Sequence, residues 1–281
     1  MTSYTQYKDP TDTTRTPSPS IWADCPTAEI LHNPAKGMLF FDDFISFPAF
    51  AEANDSTADL GQDYRAGGSD GVLGVVSTAG DDFGILRING NDAAEDGFVL
   101  VHGQSRGGYA RFGPTSTDQV WFEARFRTSN ITIDVLNIFL GLYEMTVDPT
   151  SVITQVDGSG IPDTSEDFVG FSTVAADTGI LKCIYKEGAD AAITTLGNVN
   201  TILVVDTFYK VGMRYRGGSG TNGRGRLDYY LDGAIVQTLQ VDASFPDVNH
   251  MGMLFAVKST LGTAYNLDLD WWRVAAVGGN T

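Results

Sequence analysis

The stretch GRLDYYLDGAIVQTLQV, residues 225–241, predicts two β-strands joined by a tight turn. On each side of the turn, apolar side chains alternate with polar ones, which is the period of a strand with one buried face. Asp232 and Gly233 stand between the two runs and readily adopt the positive φ angles that a two-residue hairpin requires. The preceding run FYKVGMRYRG, residues 208–217, alternates in the same way. Together the three runs predict an antiparallel meander.

Similar short runs recur from residue 38 to residue 277, and turn residues separate them. The chain holds 32 glycines and almost no segment with the period of a helix. About a dozen such strands predict two packed antiparallel sheets. Residues 51–70 are polar and rich in glycine, so we expect a long loop there. The predicted fold class is all-β, with one sandwich domain over residues 38–281.

The first 37 residues differ in composition from the rest of the chain. Residues 1–20 are rich in Thr, Ser, Pro and Asp, which oppose both helix and central strand. We expect an extended arm over residues 1–37 with one short helix near residues 26–32, which Asn33-Pro34 would end. The arm is either a disordered tail or a segment that becomes ordered on a partner. For the second alternative, the predicted partner-binding anchors are Tyr4, Tyr7, Ile21 and Trp22.

Charge and composition exclude several classes of partner. The formal net charge is −17, and no cluster of Lys and Arg is present to neutralise phosphates, so we expect neither nucleic-acid nor membrane binding. No apolar run reaches the roughly 18 residues of a membrane span, and the N-terminus lacks the apolar stretch of a secretory signal. The two cysteines are far apart in sequence, so two free thiols are expected, although a disulfide stays open.

Candidate chemistry is sparse. Glycosidases need two carboxyl groups that flank the scissile bond, and the nearest approach is LDLDWW, where Asp268 and Asp270 share a strand face. Three interpretations stay open for these two residues together with Trp272: a solvated polar face, a face that binds a cation or glycan, and catalysis. No metal or other cofactor is predicted. Calcium stays open, because NGNDAAEDG (residues 89–97) offers oxygen ligands without the spacing of an EF-hand.

The segments FYKVGMRYR, GRLDYYLDGAIVQTL, LFAVKST and YNLDLDWWRV resemble the C-terminal half of concanavalin A-like jelly rolls of the laminin-G and family-16 glucanase type. The resemblance covers about residues 205–277. It implies a jelly-roll sandwich of two antiparallel sheets. The catalytic E-x-D-x-x-E run of such glucanases is absent from this sequence.

The run IWADCPTAEILHNPAKGMLFFDDF, residues 21–44, resembles head decoration proteins of tailed phages. This resemblance implies a virion protein on the capsid surface, made in the host cytoplasm, with the major capsid protein as its partner. It also implies a homo-oligomer, and a trimer would suit the three-fold positions of a capsid lattice.

Three functional hypotheses follow. The leading one is a non-enzymatic decoration or cement protein that binds the outside of the capsid shell and stabilises it. The alternative is a carbohydrate-binding, lectin-like module of a phage capsid or tail that binds a cell-surface glycan. The second alternative is a glycoside hydrolase without a recognisable catalytic motif.

Overall fold

The computed structural model of the chain describes most of the sandwich and the segment that precedes it. The described residues are 15–44, 50–51, 56–61, 63–68, 71–76, 84–90, 97–103, 108–115, 117–131, 136–144, 166–173, 179–188, 194–220, 224–243, 245–246, 249–259 and 264–278. Tyr4 and Tyr7 lie outside them. Within the described residues, no helix is long and apolar enough to cross a membrane.

The chain begins with short helical elements and continues in strands. The helices are α1 (Pro19–Trp22), α2 (Thr27–His32) and the 3-10 helix Pro34–Lys36. The strands are β1 (Gly37–Asp42), β2 (Phe50–Ala51), β3 (Ser56–Gly61), β4 (Tyr64–Gly68), β5 (Gly71–Val76), β6 (Ile85–Gly90), β7 (Gly97–His102), β8 (Gln119–Thr128), β9 (Leu136–Glu144), β10 (Phe168–Thr173), β11 (Ile180–Lys186), β12 (Thr194–Ile202), β13 (Tyr209–Gly217), β14 (Gly225–Leu231), β15 (Ala234–Val241), β16 (Met251–Ser259) and β17 (Tyr265–Val277).

These strands form two antiparallel sheets. The nine-stranded sheet has the order β15-β14-β13-β8-β17-β6-β5-β2, and β1 pairs with β17 beside the end of β6. The eight-stranded sheet has the order β12-β11-β10-β9-β16-β7-β4-β3. The facing sides of the two sheets enclose one large hydrophobic cluster, in which Phe122, Leu140 and Phe255 are each 1 % exposed. The predicted all-β jelly-roll sandwich of two antiparallel sheets is therefore confirmed.

The meander predicted from residues 208–241 is present as β13, β14 and β15. Its hairpin turn has positive φ at both Asp232 (48°) and Gly233 (79°), as two-residue hairpins require. The Asp232 side chain also holds the turn against the neighbouring strand β13, because its Oδ1 accepts a 2.8 Å hydrogen bond from the backbone N–H of Lys210.

One expectation from the sequence is wrong and another is incomplete. Residues 51–70 are not one long loop, because β3 and β4 pair with each other and β4 adds to β7. These strands are short and contain small residues, so their alternation is weak in sequence.

The single short helix near residues 26–32 is present as α2, but α1 precedes it. Pro19 can begin α1 because the first turn of a helix needs no donor at that position.

Candidate functional site on the outer face of the nine-stranded sheet

Strand alternation directs a second set of side chains out of the sandwich, onto the outer face of the nine-stranded sheet. On β8, Phe122 and Phe126 point into the core, while Glu123, Arg125 and Arg127 point out. Charged residues of β6, β13, β14 and β17 lie on the same outer face. Three of them are aspartates that are at most 2 % exposed.

Asp268 lies on β17 directly between Arg87 of β6 and Arg127 of β8. Arg87 donates to both carboxylate oxygens, from Nε at 2.7 Å and from Nη2 at 2.8 Å. The Nε of Arg127 donates to Oδ2 at 2.8 Å. This planar, multiply bonded geometry is the one in which arginine holds a carboxylate most strongly.

Asp270 is held in a similar way, but one of its arginines comes from the N-terminal segment. Arg15 donates from Nε to both carboxylate oxygens at 2.9 Å, and Arg125 of β8 also binds Oδ2. Asp270 stands at a register shift in β17, between Leu269 and Trp271. Its carboxylate is fully buried, and so are more than nine-tenths of both arginine side chains.

Asp228 on β14 is the third aspartate that binds two arginines. Its Oδ1 accepts from Nε of Arg226 at 2.8 Å, and its Oδ2 accepts from Nη2 of Arg216 at 2.6 Å. Thr238 on β15 donates a further 2.7 Å hydrogen bond to Oδ1. A buried carboxylate is tolerated here because opposite charges and hydrogen bonds satisfy it.

The N-terminal segment, residues 15–36, covers the centre of this outer face. The apolar side chains of Ile21, Trp22, Cys25 and Ile30 form a second hydrophobic cluster with residues of the sheet. The sheet contributes Trp121, Tyr230 and Ala275 to that cluster. Gly212 on β13 leaves the space that Ile21 fills, since a Cβ at this glycine would collide with Cδ1 of Ile21.

Glu123 ties the N-terminal segment to β8. Its carboxylate accepts hydrogen bonds from the backbone N–H of Ser18 at 3.0 Å and from the indole Nε1 of Trp22 at 2.7 Å. Burial raises the pKa of Glu123, and these hydrogen bonds together with the charge of Lys210 oppose the increase. Sequence reasoning missed this residue. The only signal for it in the sequence was an acid at an outward position of a strand, close to aromatic residues of the same strand.

The structure corrects the assignment of Ile21 and Trp22 as partner-binding anchors. Ile21 is fully buried and Trp22 is 8 % exposed, and both contact the chain's own sheet. The guanidinium of Arg273 also lies 4.2 Å from the centre of the Trp22 ring. The reason is that the sheet beneath them is itself apolar at its centre. The assignment of Tyr4 and Tyr7 stays a prediction.

The structure also corrects the interpretation of Asp268, Asp270 and Trp272 as a face that binds a cation or glycan. The two carboxylates are occupied by arginines, and Trp272 is fully buried in the main core. The Trp272 indole donates a 2.7 Å hydrogen bond to the hydroxyl of Tyr64, which donates to Asp42 at 2.8 Å. The register shift at Asp270 leaves Trp272 pointing inward.

The eight-stranded sheet has an apolar outer face. Its buried cluster consists of Val99, Val101, Phe139, Tyr143, Phe168, Ile184, Leu254 and Ala256. Polar neighbours on the same face include Asn137, Ser172 and Lys258. Among the described side chains of β7, β9, β10, β11 and β16 that point outward, none is Asp or Glu. The described side chains of these strands therefore provide no carboxyl pair on this outer face.

Acidic residues do meet at one end of the eight-stranded sheet. Burial raises the pKa of Glu144, and the charges of Asp167 and Glu166 raise it further. Asp167 is bound by protein groups, since it accepts hydrogen bonds from the backbone of Gly188 at 2.6 Å and from Asn249 at 3.2 Å. Across the described ranges, no group of three His, Cys, Asp or Glu side chains could hold a metal ion.

Comparison with known proteins places the fold. No protein-family model and no curated protein sequence matches the chain. Among solved structures, the family-16 endo-glucanase of Bacteroides ovatus matches with a TM-score of 0.51 and 12 % identity, over 84 % of this chain and 99 % of that one. The carbohydrate recognition domain of Emp47p matches with a TM-score of 0.50 and 9 % identity, over 86 % of this chain and 97 % of that one.

The chain has the concanavalin A-like fold. The resemblance of residues 205–277 to this class of jelly roll is thereby confirmed. The similar structures include a glucanase and a carbohydrate recognition domain, and at such low identity they establish the architecture alone.

Proposed function

We propose that this protein is a non-enzymatic structural protein of a tailed-phage particle. It decorates the outside of the capsid, binds the major capsid protein and stabilises the shell. The observation that supports a non-catalytic role is the state of Asp228, Asp268 and Asp270, each of which is bound by two arginines. A retaining glycosidase needs two carboxyl groups about 5 Å apart that can exchange a proton and attack a sugar. Carboxylates bound in this way are not available for either step.

The phage assignment is supported by residues 21–44, whose sequence resembles head decoration proteins. This segment contains α2, which packs Ile30 inward and leaves Leu31 71 % exposed. A docked segment of this kind can present a fixed surface to the shell without the entropy cost of ordering a free tail. In this proposal the protein is a homo-oligomer of the virion surface, and a trimer would suit the three-fold positions of the shell.

The proposal is tested with phage heads that lack the protein. Purified protein is added in increasing amounts, the heads are sedimented, and the bound fraction is measured beside the native mass of the free protein. We expect a stable oligomer that saturates the heads at a fixed ratio and raises their resistance to heat. Heads already saturated with the protein provide the control. A monomer that stays in the supernatant at every ratio contradicts the proposal.

A lectin-like module is the second candidate, and the resemblance to the carbohydrate recognition domain of Emp47p in fold supports it. Such a module would bind a glycan without cleaving it. A glycan array, probed with and without a chelator, tests this candidate and the involvement of calcium. Release of reducing ends from β-glucans would instead favour a glycoside hydrolase.

A further inference from the structure

Four polar side chains form one row across the outer face of the nine-stranded sheet. Gln119 of β8 pairs with Arg216 of β13, Arg216 pairs with Arg226 of β14, and Arg226 pairs with Gln240 of β15. Their strand neighbours, such as Tyr215, point into the core, so the four side chains point outward. Adjacent strands lie about 4.8 Å apart, so this arginine row is about 14 Å long.

The charge at the centre of the arginine row is not balanced. Asp228, two residues further along β14 and on the same face, accepts hydrogen bonds from both Arg216 and Arg226, so two guanidinium groups share one carboxylate. The next arginine, Arg214, forms its own ion pair with Asp24. Like charges directly opposite each other destabilise a sheet. Counted over the described residues, two guanidinium groups and one carboxylate leave the pair one positive charge, which an anion from solution would neutralise.

Both arginines of the row reach solvent. The side chain of Arg216 is 33 % exposed and that of Arg226 is 36 % exposed. Positive charge is also crowded here: burial lowers the pKa of Arg214, and the charge of Arg216 lowers it further. A ligand that brings a negative charge to the row would relieve this crowding.

At the other two aspartates on the face, the positive charge of the arginines is not open to a ligand in this way. At Asp270, both arginines are more than nine-tenths buried. At Asp268, Arg87 has a second acidic neighbour: its pKa is raised by its hydrogen bond to Asp268, and the charges of Asp268 and Asp206 raise it further. The Asp268 site thus provides an internal comparison for the row.

We infer that the arginine row binds carboxylate groups of an acidic polysaccharide. Guanidinium groups match a carboxylate with two parallel hydrogen bonds, and each central arginine has five N–H donors, more than it gives to Asp228 and Thr238. The outer glutamines offer amide donors and acceptors, which match sugar hydroxyls. A uronate chain carries one charge on each sugar among neutral hydroxyls, as the row requires. Polyanions of higher charge density, such as acidic peptides, are disfavoured because the protein itself carries a net charge of −17.

This inference does not depend on attachment to a capsid, and it can be tested on the purified full chain. Binding of oligogalacturonate is measured by calorimetry at low salt, beside the fully methyl-esterified oligomer, which lacks the charge. We expect the acidic oligomer to bind and the ester to bind at least about tenfold more weakly, because a charge-assisted hydrogen bond is about twice as strong as a neutral one.

Matched variants locate the site. Arg226→Gln removes one charge from the row and should weaken binding about tenfold, which is the loss expected for one charged hydrogen bond. Arg87→Gln removes the same charge from the Asp268 site on the same face and should leave affinity within about twofold. Arg226→Lys keeps the charge but loses the planar guanidinium group, so its affinity should lie between those of the wild type and Arg226→Gln. Thermal unfolding checks that each variant is folded. If Arg226→Gln does not fold, Gln240→Ala on the exposed edge strand replaces it as the variant of the row.

Several results would overturn the inference. The first is absence of measurable oligogalacturonate binding by the folded wild-type chain. The second is an equal loss in Arg226→Gln and Arg87→Gln, since that would show general electrostatic attraction. The third is tighter binding of poly-glutamate than of oligogalacturonate, which would identify an acidic protein as the partner. None of these assays uses phage heads, so their failure is distinct from failure of the capsid proposal.

Discussion

The indole of Trp22 donates a 2.7 Å hydrogen bond to the carboxylate of Glu123, 101 residues further along the chain. This contact places the N-terminal segment inside the folded unit, because Trp22 also covers the apolar centre of the sheet. The segment therefore behaves as a part of the sandwich.

Substitution of Trp22 by alanine should lower the free energy of unfolding by about 3–5 kcal/mol, since it removes a large buried ring and the indole donor of Glu123. Leu31→Ala is the matched control on the same segment. Leu31 is 71 % exposed, so its loss should change stability by less than about 0.5 kcal/mol. Urea unfolding measures both. Equal stability of the two variants would show that the segment does not support the sheet.

The arginine pairs predict a ranking of aspartate variants. Asp270→Asn should lower the free energy of unfolding by about 3–5 kcal/mol, because it removes the carboxylate charge that binds the buried Arg15 and Arg125. Asp268→Asn should cost less, since Arg87 is 30 % exposed and water can solvate it. The two variants change charge and shape equally, so chemical unfolding compares the sites directly. The reverse ranking would contradict this account.

Glu123 predicts a pH dependence of stability. Its pKa in the folded state is raised above the ordinary value of 4.5, so the folded state binds a proton that the unfolded state releases. The contribution of Glu123 to the free energy of unfolding should therefore rise as the pH falls through the folded-state pKa towards 4.5. Glu123→Gln lacks this pH-dependent contribution, because its amide does not titrate. The stability of the wild type relative to this variant should increase from pH 7 to pH 4.5, and a constant difference would contradict the assignment.

The two cysteines should be unreactive in the folded protein. Both are free and buried, and burial raises the pKa of Cys25 to about 11 and that of Cys183 to about 12. Iodoacetamide attacks the thiolate, so neither residue should be alkylated at pH 8 in the native state. Mass spectrometry should show both modified in urea.

Trp22→Ala should expose Cys25 before Cys183, because Cys25 lies under the N-terminal segment and Cys183 lies between the sheets. Simultaneous modification of the two thiols in this variant would indicate that the segment and the sandwich open together.

Much of the fold could be predicted from local patterns. Alternation in residues 208–241 was sufficient for three strands, and Asp232-Gly233 was sufficient for their turn, because both signals arise between neighbours in sequence. The strands β3 and β4 escaped prediction because their small residues alternate weakly. β3 pairs with β4, and β4 pairs with β7 between residues that are 30 to 38 positions apart in the chain, from Gly68↔Phe98 to Tyr64↔His102.

The candidate site could not be predicted in the same way. The sequence by itself determined which side of each strand Asp228, Asp268 and Asp270 occupy, since that depends only on the two-residue period. Only the tertiary structure decided that each aspartate meets two arginines, all of which except Arg226 come from other elements, such as Arg15 at Asp270. Ion pairing depends on strand order and register, which are set by long-range packing. The same packing buries Ile21 and Trp22, which the sequence suggested as partner-binding anchors, because the part of the sheet that they cover is apolar.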